Sequence, residues 1–169
     1  MLAACSSSKK SDPPPSGSAG KSSTASTGGT AGCASFAAGD VARIAHLTGP
    51  VTSKSKSGTG VGAGTTCTYT AADGQDKASI LLLGTNRDFF DAVHEANLED
   101  KRSHCADLPD LDETAFGCTQ STYNIGFYRH DLDILVQLEH SDQAEPTGPD
   151  AARDKADTIA LAKFVLTKM

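Results

Sequence analysis

The chain has 169 residues, of which 38% are hydrophobic, 21% charged and 5% aromatic; it has no Trp and a net charge of −6. That balance argues against nucleic acid, which calls for a basic stripe or stacking aromatics, and against an aromatic platform for sugars. No apolar run approaches the roughly 18 residues of a membrane-spanning helix.

In chain order, the first feature is Leu2-Ala3-Ala4-Cys5, small residues leading into a cysteine. The stretch resembles the lipobox of bacterial lipoproteins. The resemblance implies that Cys5 is thioether-linked to diacylglycerol and becomes the first residue after cleavage. The basic region and apolar stretch of an export signal are missing. Residues 1–5 are therefore expected to be the residue of a signal peptide whose start lies upstream. From Ser6 to about Gly32 the chain is Ser, Thr, Gly, Pro, Ala and Lys, with Pro13-Pro14-Pro15 and Gly28-Gly29 and no apolar period. Such a segment buries too little to offset its ordering entropy, so residues 6–32 are expected to be a disordered tether.

One compact domain is expected over residues 33–169, a length that suits a single core. Lys9, Lys10, Lys21 and Asp12 are the only charged side chains of the tether, which leaves the domain 12 basic residues against 20 acidic ones. Cys33, Cys67, Cys105 and Cys118 form an even set in a chain that reads as exported, and so as two disulfides. Three connectivities are open. Short spacing favours Cys105–Cys118, leaving Cys33–Cys67. The rival reading is zinc, with His104 beside Cys105 and His94, His130 and His140 available, but no pair has the close C-x-x-C or H-x-x-x-H spacing of a structural site.

Within the domain, residues 36–46 put Val41, Ile44 and Ala45 on one face, a short helix that Gly49-Pro50 ends. A strand over Val51-Thr52-Ser53 follows. Thr65–Thr70 and Ala78–Leu83 read as a hairpin around Asp73-Gly74. Phe89, Phe90, Val93 and Ala96-Asn97 then take helical spacing, with Asp88 as a capping residue. Three further strands are expected over Thr114–Cys118, Tyr123–Tyr128 and Leu132–Leu138, the last two joined at Arg129-His130-Asp131. After the Glu145-Pro146-Thr147-Gly148-Pro149 loop, a helix from about Asp150 presents Ile159, Ala162, Val165, Leu166 and Met169. Adjacent strands joined by short turns predict an α+β fold. The expected architecture is an antiparallel sheet of two helix-plus-three-strand halves and a C-terminal helix, with the helices packed on one face.

A cysteine before a short helix, Gly49-Pro50-Val51, the Gly-rich link into Cys67-Thr68-Tyr69, Leu108-Pro109-Asp110-Leu111-Asp112-Glu113-Thr114-Ala115-Phe116 and the closing Ala-Leu-Ala helix occur in this order. In this the chain resembles small actinobacterial lipoproteins of unknown function over nearly all of the domain from Cys33. The resemblance implies an extracytoplasmic α+β domain and a bridge between Cys33 and Cys67. Two departures stand out: Pro109-Asp110-Leu111-Asp112-Glu113 lacks the glycines of the family's turn, and Ala37-Ala38 replaces its capping Thr-Pro.

Several groupings raise sharper chemistry. Gly58-Thr59-Gly60-Val61-Gly62-Ala63 matches G-x-G-x-x-A but precedes a strand, so the dinucleotide fingerprint fails its context and a loop tip is the reading. Asp91, His94 and Glu95 share a helix face as a metal grip would, and as a solvated face commonly does. His130-Asp131-Leu132-Asp133 offers a base or hard-cation set, against the simpler reading of a polar hairpin tip. Asp107, Asp110, Asp112 and Glu113 form a dense acidic run without the spacing of an EF-hand loop. No serine sits in a G-x-S-x-G elbow, and bridged cysteines leave no thiol nucleophile.

The sequence thus calls for no catalytic residue, cofactor or metal. It points to a lipid-anchored, extracytoplasmic binding or accessory domain held to the membrane through Cys5, whose partner is an envelope protein or small ligand. The alternatives are an envelope enzyme or metal-binding protein using His94, His130 or His140 with nearby carboxylates, and a structural spacer.

Overall fold

The computed structural model describes residues 32–58, 63–119, 122–140 and 149–169. The lipobox-like residues 2–5, the tether through residue 31, loop residues 59–62 and residues 145–148 lie outside the described residues. A 3-10 turn (Cys33–Ser35) leads into α1 (Ala38–Ile44) and then β1 (Thr52–Ser57), β2 (Gly64–Thr70) and β3 (Lys77–Gly84). After α2 (Arg87–Glu99) come β4 (Cys105–Asp107), β5 (Phe116–Thr119), β6 (Tyr123–Arg129), β7 (Leu132–Glu139) and α3 (Pro149–Lys168).

The seven strands form one antiparallel sheet in the order β1-β2-β3-β7-β6-β5-β4. The chain runs inward through two hairpin connections to β3, crosses by way of α2 to the opposite edge, and returns strand by strand until β7 closes on β3. Alternation decides the faces. Cys67, Tyr69, Ile80, Leu82, Ile125, Phe127, Ile134 and Val136 point to one side, where α1 and α3 pack and Leu161, Ala162 and Val165 complete a buried cluster. The buried Tyr69 hydroxyl donates to the Phe36 carbonyl oxygen at 2.8 Å and fastens the segment before α1 to β2.

The α+β class, the antiparallel sheet and the C-terminal helix agree with the sequence. Two details are corrected. The second half is a helix plus four strands, because the three-residue β4 pairs with β5, Cys105 opposite Cys118. The helices also do not all share a face. The side of β6 that carries Ile125 and Phe127 is already under α3, so α2 crosses on the other side, where Phe90 meets Phe116, Cys118, Cys105 and Tyr128. Gly126 permits this second layer, since the Phe116 ring lies 2.8 Å from where a Cβ would stand.

Local details follow from sequence chemistry. Asn86, not Asp88, caps α2, its side-chain oxygen accepting from the Phe89 N–H at 2.8 Å. The helix buries Phe90 and leaves its neighbour Phe89 57% exposed, although both fall in the apolar pattern from which the helix is read. α1 ends before Gly49-Pro50, with His46 at φ 51 in the left-handed region that ends helices. His130 and Asp131, at φ 50 and 61, form the two-residue turn between β6 and β7, the left-handed pair that suits a twisted hairpin. β1 is exposed along its whole length at one sheet edge.

Candidate functional site

The four domain cysteines pair as Cys33–Cys67, with Cα atoms 5.4 Å apart, and Cys105–Cys118, with Cα atoms 4.0 Å apart. The first joins the chain entering the domain to the middle of β2 on the large-core side. The second spans β4 and β5 under α2. Cys5 lies outside the described residues.

The Asp91–His94–Glu95 face does not assemble as a grip. Asp91 accepts from Arg87 Nε at 2.7 Å, whereas His94 Nε2 meets Asp107 Oδ1 on β4 at 2.8 Å and its ring stacks on Phe116 at 4.6 Å. His94 is thus a packing residue with one polar tie to the edge strand. The acidic run is also divided. Asp112, 6% exposed at its side chain, accepts from the Thr114 N–H and hydroxyl and from Arg129 Nη1, which builds the turn into β5; Asp107, Asp110 and Glu113 face solvent. At the β6–β7 tip, Asp131 accepts from the Tyr128 hydroxyl at 3.2 Å. Asp133 stands opposite Tyr128, and burial pushes its carboxyl above the usual range. Among the described residues, no three His, Cys, Asp or Glu side chains are grouped to hold a metal.

What the sequence reading missed lies at the end of the sheet where β3 begins and β7 finishes. His140 stands between Asp76, in the turn before β3, and Asp154 on α3. Asp157, one helical turn along, faces His46 at 3.6 Å. Asp154, Asp157 and Thr158 are buried, and the Thr158 hydroxyl donates to the Asp154 backbone carbonyl at 2.6 Å. A signal for this was present: Asp154, Thr158, Leu161 and Val165 follow the i, i+4, i+7 pattern of one helix face, so the stripe that buries Val165 also carries Asp154 inward.

The opposite end of the sheet has a different character. There a cavity of about 340 Å³ opens between Gly32, the first of the described residues, and the strands at Gly64, Gly84, Leu82 and Leu132. Its size falls in the range of small-molecule sites. Glycines, Ser57, Ala63 and Thr65 line it together with two leucines that also belong to the main core. No family model, curated protein or solved structure matches the chain.

Proposed function

We propose that this is a lipid-anchored, extracytoplasmic domain, held through diacylglycerol on Cys5, that binds a small ligand or an envelope protein and performs no chemistry of its own. The pairing of Cys33 with Cys67 and Cys105 with Cys118 carries the reading, because such bridges form and persist in oxidising compartments. It leaves Cys5, in its lipobox-like context, as the cysteine of the chain outside the two bridges. The order of motifs, which resembles that of small actinobacterial lipoproteins, favours the same reading. The cavity beside Gly32 offers room for a small group.

The test is the intact mass of the native protein from membrane fractions, before and after reduction and alkylation. A chain beginning at Cys5 with diacylglycerol, and four cysteines alkylated only after reduction, is the expected result. A chain unmodified at Cys5 overturns the anchoring. Substrate turnover lost on replacing His94 or His140 would overturn the non-catalytic reading.

A further inference from the structure

The charged group at the far end of the sheet has no part in the proposal above. His140 follows the last residue of β7, and its side chain is 6% exposed. Its Nδ1 stands 3.7 Å from Asp76 Oδ2, and its Nε2 stands 3.7 Å from Asp154 Oδ1. One ring therefore lies where the turn before β3, the end of β7 and the inner face of α3 meet.

Neutral imidazole carries one N–H and one bare lone pair, whereas imidazolium carries two N–H donors. With a carboxylate beyond each nitrogen, the neutral ring turns a lone pair toward one of them in either tautomer. Only the imidazolium offers a proton to both. Nε2 of His140 is buried without a hydrogen-bond partner, and so is Asp157 Oδ2. Among the described residues, further charges near this place are Arg153, 3.6 Å from Asp154; His46, 3.6 Å from Asp157 beyond the end of α1; and the Lys77–Glu139 pair, 3.9 Å apart across β3 and β7.

From this geometry we infer that His140 is a proton-operated clasp. When the ring takes up a proton it ties the first turns of α3 to β3 and β7, and when it loses the proton that end of the helix loosens. Imidazole as a class changes charge between about pH 5 and 8, which sets the range over which the clasp is tested. A metal ion in this place would need several donors around one point, a grouping not found among the described residues. The proton is the cation that suits one ring between two separate carboxylates.

The experiment uses the full chain labelled with 15N-histidine. It follows the His140 ring nitrogens and the amide exchange of residues 151–158 from pH 5 to 8, with and without chelator. Expected are two protonated ring nitrogens at the acid end and one at the alkaline end. Protection over 151–158, corrected for intrinsic exchange, should be about tenfold higher at the acid end, the effect of roughly one charge-assisted hydrogen bond. His140→Gln should lose that pH dependence and His46→Gln should keep it. The inference is overturned by a ring that holds one protonation state throughout, by a pH dependence that survives in His140→Gln, or by protection that follows added Zn2+ and vanishes with chelator. If His140→Gln does not fold, the ring signals of the unmodified chain decide.

Discussion

The two faces of the sheet are held by different means. Among the described residues, twenty-one are buried in the cluster under α1 and α3, whereas three, Phe90, Phe116 and Cys118, are buried in the cluster under α2. Each face also has a disulfide, but the two act in different settings. Cys33–Cys67 ties an incoming segment to a face already rich in buried area. Cys105–Cys118 holds a three-residue edge strand to its neighbour beneath a helix that buries a single Phe. Stability from apolar burial scales with area, at about 25 cal/mol per Å². A face with few buried residues therefore depends more on its covalent tie.

Phe127→Ala removes a fully buried ring from the large core and should cost about 4 kcal/mol in denaturant unfolding, spread over the whole domain. A local effect there would break the contrast. Replacing Cys33 and Cys67 together by Ala should cost about 4 kcal/mol from the longer loop, and replacing Cys105 and Cys118 about 3 kcal/mol. The sharper readout is hydrogen exchange. The second pair should expose amides of α2 and β4 while β3 and β7 stay protected, and equal loss in both regions would show that the small face has no separate character. Tyr69→Phe leaves the buried Phe36 carbonyl unpaired and should cost about 1.5 kcal/mol in the same unfolding assay.

The smallest effect concerns Asp133, on the α2 side of β7. Its carboxyl is raised in the folded state by burial, so the folded chain holds a proton at pH values where the unfolded chain has released it. Stability from this group therefore falls as pH rises from the ordinary carboxylate range through the raised value. Asp133→Asn should remove that slope and stabilise the neutral protein by about 0.5 kcal/mol, measured as the unfolding midpoint from pH 3 to 7.

Legibility in the sequence follows the same division. Thr65–Thr70, Ala78–Leu83 and Leu132–Leu138 alternate or run apolar, and each became a strand of the large core within a residue or two of its expected bounds. β4 is three residues of mixed character inside a polar loop, and only its register with β5 makes it a strand. Missing it hid the His94–Asp107 tie and left His94 grouped with its helix neighbours. The side taken by α2 was hidden for a related reason. It follows from α3 covering the other face of β6 and β7, and α3 comes last in the chain. Asp76, His140 and Asp154 lie far apart in sequence, so their meeting was visible only through the helical stripe that carries Asp154 inward.

Among the described residues, β1 leaves the sheet with an open edge, the usual starting point for unwanted pairing between copies. Lys54 and Lys56 stand on the same side of that strand. If two copies met edge to edge about a twofold axis, same-side residues would face one another, so Lys54 would oppose Lys56 or its own copy. Ammonium groups would then crowd together along the seam. Copies at high concentration are thereby kept from zipping into a continuous sheet, and the seven strands remain the property of one chain.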